Sequence, residues 1–147
     1  MFIDQLTNAD SIPVLEKSLQ FAARRQDLIA HNIANLSTPN FQPMDVSVGG
    51  FREQLADAVD RRRARFGGQR GDLEMRSTRE VRTDARGRLA LTPDASGRNV
   101  LFHDRNNRDL ERTMQDLVEN VAMFRVSSDL LKSRLSLIRS AIAERVT

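Results

Sequence analysis

Few residues in this chain are of the types that carry reactions. Cys, Trp and Tyr are absent, and the histidines are His31 and His103. Without Cys there is no thiolate nucleophile, no disulfide framework and no cysteine-based zinc or iron–sulfur site. His103 is followed by Asp104, a carboxylate that can orient an imidazole, but no Ser or second His stands at a spacing that completes a triad. His31 lies in a helical stretch, where a lone imidazole is more often structural than catalytic. Gly67-Gly68-Gln69-Arg70-Gly71 lacks the Lys-Ser/Thr continuation and the preceding strand of a phosphate loop. Asn35-Leu36-Ser37 fits a glycosylation sequon, a tripeptide that arises readily by chance. These residues predict a protein that is not an enzyme and takes no cofactor or metal.

Charge is the next source of chemistry. The chain holds 147 residues with a formal net charge of +3, and its cations are overwhelmingly Arg. Residues 1–51 sum to −2, residues 52–108 to +5, and residues 109–147 to zero. The sharpest basic cluster is Asp60-Arg61-Arg62-Arg63-Ala64-Arg65-Phe66. Nucleic-acid binding wants such charge together with stacking aromatics, and Phe66 is the one aromatic nearby. An acidic protein face is the better partner for the cluster, and no nucleic acid is expected. No run approaches the roughly 18 apolar residues of a membrane span. The first ten residues show no basic stretch leading into an apolar one, so no cleavable secretory signal is expected.

The pattern of apolar residues supplies what the reactive residues do not. After a flexible segment, 1–11, Ser11 can cap a first helix. Leu15, Leu19, Ala22, Gln26, Ile29, Ile33 and Leu36 follow at alternating spacings of four and three, a heptad seam with one polar member. Ser37-Thr38-Pro39-Asn40 ends it in a corner. Asn35 can bond the last helix carbonyls, Asn40 suits a left-handed position, and Phe41 can fold back onto the helices. A longer helix, about residues 109–145, follows Asn106 or Asn107 as cap. Its seam runs Leu110, Met114, Leu117, Val121, Phe124, Ser128, Leu131, Leu135, Ile138 and Ile142 without a slip. Between the arms, 51–66 reads as a short helix with Phe51, Leu55, Ala58, Val59 and Phe66 on one face. Residues 67–105 read as loop with a small hairpin around Arg88-Leu89-Ala90-Leu91-Thr92.

The expected architecture is therefore mainly α: two long terminal heptad helices packed as an antiparallel coiled-coil pair, joined by a loop-rich middle. Its parts are an N-terminal helix and corner (12–50), an Arg-rich middle (51–105) and a C-terminal helix (106–147). The second seam outruns the first by nearly 20 Å at about 1.5 Å per residue. Other chains are expected to bury the excess, which makes the protein oligomeric in its working form. Assembly with further chains along the seams, a coiled-coil adaptor with one partner and an Arg-rich nucleic-acid binder are the readings the residues leave open.

One motif narrows them. Asn32-Ile33-Ala34-Asn35, then Thr38, Pro39 and Phe41, resembles the N-terminal signature of the bacterial flagellar axial proteins, the rod, hook and hook-associated subunits. Asn40 stands where that family usually has Gly, a mild departure because Asn tolerates a left-handed backbone. The stretch from Asn106 through Leu110, Met114, Leu117, Asn120, Phe124, Leu131 and Leu135 resembles the C-terminal helix of the family's small proximal rod subunits. Together the two stretches span residues 12–51 and 106–146. The resemblance implies a structural rod subunit in the periplasmic part of the flagellar basal body, exported from the cytoplasm by the flagellar type III apparatus. It implies other rod subunits, a membrane-ring/rod adaptor and export-gate proteins as partners. Assembly would rest on Leu15, Leu19, Ile29, Ile33, Leu117, Val121, Phe124, Leu131, Leu135 and Ile138. The corner would be fixed by Asn32, Ile33, Ala34, Asn35, Thr38, Pro39 and Phe41.

Overall fold

The computed structural model describes residues 11–67, 71–95 and 110–144. The expected N-terminal segment, the caps Asn106 and Asn107 and the pair His103-Asp104 lie outside the described residues. Helix α1 spans Ile12–Ala34, strand β1 Met44–Asp45, helix α2 Val48–Phe66, strand β2 Val81–Thr83, strand β3 Leu89–Leu91, strand β4 Asp94–Ala95 and helix α3 Leu110–Glu144. β1 pairs antiparallel with β4, and β2 pairs antiparallel with β3. The long helices α1 and α3 pack against each other and run antiparallel. Arg25 meets Asp116, and three residues back on α1 the Ala22 carbonyl meets Asn120, four residues on along α3.

Ser11 stands at the start of α1 without a side-chain cap bond, contrary to the expected cap. Pro13 is tolerated because it sits in the first turn, where its missing N–H has no helical acceptor. α2 starts three residues earlier than the spacing predicts. Ser47 caps it by accepting from the Gly50 N–H at 3.0 Å. Gly67, with φ +69°, supplies the left-handed C-cap, and its N–H returns to the Arg63 carbonyl.

Of the heptad seams, Ala22 and Ile29 are buried, but the main core cluster lies elsewhere. Its buried members are Phe21 from α1 and Val46, Phe51, Ala58, Leu73, Met75, Val81 and Leu89 from the middle of the chain. The Phe21 and Phe51 rings stack with centroids 4.0 Å apart and planes 6° from parallel. The segment after α2 runs back along it, and α2 side chains capture its carbonyls. Arg62 Nε donates to the Gly71 carbonyl at 2.9 Å, Arg61 to Glu74 at 3.1 Å, and Gln54 to Arg76. Alternation along this return buries Leu73 and Met75 and leaves Asp72, Glu74 and Arg76 outward. The described middle thus holds the expected short helix, hairpin and irregular chain, with the irregular segment packed against α2. Phe66 does not join the apolar face and is 53% exposed.

The β2–β3 hairpin closes through a turn from Asp84 to Gly87, with Gly87 at φ +74° as the left-handed residue. Val81 and Leu89 point into the core from this hairpin, and Arg82 and Ala90 point out. Gln20 accepts from the Leu89 N–H at 3.2 Å, and Lys17 donates to the Gly87 carbonyl, so the hairpin docks on α1. Burial pulls the Lys17 pKa below its ordinary value, against the charges of Glu16 and Asp84.

α1 uses two adjacent faces. Phe21, Arg25, Leu28 and Asn32 face the middle layer and corner, whereas Ala22, Gln26 and Ile29 lie toward α3. The sequence seam found the second face and missed the first. Leu36 lies past the helix end. On α3 the expected stripe is offset. The residues set most deeply against α1 are Asn120 at 2% and Ser127 at 6% exposure, in a frame that includes Thr113, Asp116 and Met123. That frame lies one residue, about 100° of helix rotation, from the apolar one. The apolar stripe is left at the side. Leu110, Met114 and Phe124 are 46, 41 and 40% exposed, and Leu117 and Val121 are half-buried.

α3 has 35 residues and α1 has 23, so α3 is longer by about 18 Å. In their antiparallel register Ile12 stands level with about residue 131 of α3. From there on, no described helix lies beside α3.

Two measurements check this fold. Phe51→Ala is expected to destabilise the protein by about 3–5 kcal/mol in urea titration, the usual cost of deleting a buried ring. The pH dependence follows from Asp84. It accepts from the Arg88 and Arg86 N–H groups, each at 2.8 Å, and from Arg88 Nε at 2.9 Å. The Arg88 backbone bond, ahead of the other contacts, holds its pKa below the ordinary 3.8. Because the folded value is the lower one, the turn is stabilised above 3.8 and loses that support as pH falls through the depressed value. Amide exchange at Arg86 and Arg88 is expected to speed up relative to the α1 amides on such acidification.

Candidate assembly site

The corner after α1 is built from side chains that replace missing helix bonds. The Asn35 N–H and its Nδ2 both donate to the His31 carbonyl, at 3.2 and 2.9 Å. The Thr38 N–H donates to the Asn35 carbonyl at 2.9 Å, and Thr38 Oγ1 reaches Asn35 Oδ1 at 3.4 Å. Pro39 follows, and Asn40 turns the chain with φ +60°. Phe41 then donates its N–H to the Thr38 carbonyl at 3.3 Å and sets its ring edge-on to His31, centroids 5.6 Å apart. His31 therefore has a packing role here.

Asn32 is the buried member of the motif, at 7% exposure. Its amide treats Met44 as a strand neighbour would. Nδ2 donates to the Met44 carbonyl at 2.8 Å, and Oδ1 accepts the Met44 N–H at 3.1 Å. This clamp fixes β1 against α1 and delivers the next residue, Asp45, to Arg25.

Arg25 ties three elements together. It is 3% exposed, and its guanidinium donates to Asp45 from Nε at 2.9 Å and from a terminal nitrogen at 2.6 Å. The same terminal nitrogen donates to Asp116 on α3 at 3.0 Å. Burial alone would lower the Arg25 pKa, but the bonds and charges of Asp45 and then Asp116 hold it above the ordinary value. One turn along α3, Asn120 Nδ2 donates to the Ala22 carbonyl and to Gln26 Oε1, both at 2.9 Å. These polar bonds fix α3 on α1 beside the buried Ala22 and Ile29, and Met123 packs against the core.

Sequence reasoning missed Arg25, Asp45 and Asp116, and named Asn120 only within the family resemblance. A signal was present: Arg25 shares the seven-residue frame of Ser18 and Asn32 on the face that also carries Phe21 and Leu28. The basic cluster on α2 is largely spent within the chain. Arg62 is buried, Arg61 pairs with Asp57, Arg63 lies 3.6 Å from Asp60 and Arg65 3.5 Å from Glu74. Among the described residues, no group of three His, Asp or Glu side chains is arranged to hold a metal ion. No described helix is long and apolar enough to cross a membrane.

The proposed seam residues divide. Ile29, at 2% exposure, is already covered within the chain. Leu15, Leu19, Ile33, Leu117, Val121, Leu131, Leu135 and Ile138 are half-buried, and Phe124 is exposed. Ile33 and Ala34 form the last turn of α1.

The model of the flagella basal body rod protein family matches residues 14–42, which are α1 and its corner. The flagellar basal body rod protein FlgB of Borrelia hermsii is 27% identical over 124 residues, 82% of this chain and 86% of its own length. The protein of the same name from Yersinia enterocolitica is 24% identical over 136 residues, 88% of this chain and 90% of its own. The chain is thus similar to flagellar basal body rod proteins over most of its length. Both relatives are of the FlgB type, and each match extends well beyond α1 and the corner. The family-matched stretch is the part that carries Arg25, Asn32 and the Asn35–Thr38 turn.

The Arg25 clamp predicts a specific loss. Arg25→Ala leaves Asp45 and Asp116 facing each other without their shared cation and is expected to cost about 3 kcal/mol in urea titration. Arg25→Met with Asp45→Asn and Asp116→Asn removes all three charges and is expected to recover much of that stability.

Proposed function

We propose that this protein is a structural subunit of the proximal rod of the flagellar basal body, and that it helps connect the membrane ring and export gate to the rod. The observation that carries the reading is the α3 stripe. An apolar heptad with one polar member, Ser128, runs the length of the helix, yet the chain turns a polar frame inward and leaves that heptad half-buried or exposed at its side. Exposed apolar surface of this extent is unfavourable in water and marks a surface made for contact. Neighbouring subunits in the rod would cover it, together with Leu15, Leu19 and Ile33 on α1. The corner residues Asn32, Asn35, Thr38, Pro39 and Phe41 would hold α1 and β1 at the angle those contacts require. Passage through the flagellar type III export route suits a fold whose helix pair is joined by polar contacts and contains no disulfide. Its partners in this reading are other rod subunits, the ring–rod adaptor and the export-gate proteins.

A strain lacking this gene is expected to lose swimming and assembled filaments. Val121→Asp is expected to do the same while the protein is still made and its helical circular dichroism is kept, since Val121 is only half-buried in the single chain. Normal swimming by the Val121→Asp strain would remove α3 from the assembly site.

A further inference from the structure

We infer that the free protein pairs with a second copy of itself through the α3 stripe, with the two α3 helices antiparallel. The first ground is the distribution of charge along α3. The half from Leu110 to Asp129 carries Glu111, Asp116, Glu119 and Asp129 against Arg112 and Arg125. From Leu130 to Glu144 it carries Lys132, Arg134 and Arg139 against the single acid Glu144 at its last residue. Each helix is therefore acidic at its start and basic toward its end. An antiparallel partner sets each basic half beside an acidic half, twice per dimer, whereas a parallel partner in register opposes like charges.

The second ground is register. When the two helices cross with Val126 at the centre, every stripe member meets another stripe member. Met114 faces Ile138, Leu117 faces Leu135 and Val121 faces Leu131 of the other copy. The same register puts Glu111 of one copy beside Arg139 of the other at the flank of the seam, and both side chains are exposed in the single chain. The length is also adequate. The shared seam is about 50 Å long, and a helix pair of that length covers an area of the order of the roughly 800 Å² per partner found in stable complexes. The arrangement is two-fold and closed, so it ends at two copies.

Closure gives the pairing a consequence. A dimer of this kind hides the same stripe that rod neighbours would use, so it acts as a store that must open before a subunit is added. It does not require the rod reading, because it concerns the free protein alone.

The two-fold axis brings Arg125 of one copy beside Arg125 of the other, a like-charge contact that yields a prediction opposite in sign to simple damage. In sedimentation equilibrium of the full-length protein, Glu111→Arg and Arg139→Glu are each expected to weaken dimerisation about tenfold, since each replaces two exposed ion pairs by two repulsions. Combining them in one chain is expected to restore it, and Arg125→Ala is expected to tighten it. Circular dichroism checks that each variant is folded. A monomeric wild-type protein, or an association that grows past two copies, would overturn the inference. So would a pair of single reversals whose combination fails to recover. Motility assays of the same variants are read separately: loss of dimerisation with normal swimming leaves the rod reading standing, and a dimer in a strain that never needed the protein removes it.

Discussion

A guanidinium enclosed almost completely by protein must be given anionic partners or be expelled. Arg25 sits on the buried face of α1, and its answer is two carboxylates from two other parts of the chain, Asp45 in β1 and Asp116 in α3. Such a cluster adds little net stability over an apolar replacement, because desolvation offsets attraction. It is demanding in geometry, however. Asp45 reaches Arg25 because the Asn32 amide holds Met44, and Met44 arrives there because the turn through Asn35, Thr38 and Asn40 sends the chain back. Asp116 reaches Arg25 only when α3 lies antiparallel at one register. The buried charge thus couples the corner to the helix pair, and a shift of one residue in either breaks both.

Energetically the molecule is divided. Its dry core joins one face of α1 to the middle layer, through the Phe21–Phe51 stack and the aliphatic residues around it. α3 reaches that core at Met123 and is also tied to α1 by Arg25, Gln26 and Asn120, beside the buried Ala22 and Ile29 of α1. An Asn at such a position trades stability for register, the use best attested in coiled coils. The apolar stripe stays half-buried or exposed at the side of α3. A subunit that must join a larger structure needs this split. A helix that satisfied its apolar face internally would be more stable alone and have nothing left to offer a neighbour.

The two terminal helices and the corner were legible in the sequence because their causes are local. A four-three alternation of apolar residues forms a helix wherever it is placed, and Pro39 after an Asn- and Thr-rich turn ends one wherever it occurs. Asn40 in a left-handed conformation belongs to the same class, a preference of one residue type for one backbone state. The middle was harder. Arg61, Arg62 and Gln54 read as solvated or partner-seeking groups, yet they grip carbonyls of a returning segment 9 to 22 residues ahead. No local pattern announces such a contact, since it depends on the path of a chain with little periodicity of its own.

The sequence by itself determined which segments are helical, where the first of them stops, and that α3 is too long for α1 to cover. Only the tertiary structure decided how α3 is rotated about its axis. Periodicity reports that an apolar stripe exists and cannot say whether the chain or its neighbours will bury it. That choice belonged to Arg25 and Gln26, which drew Asp116 and Asn120 inward and turned Met114, Val121 and Phe124 toward the side.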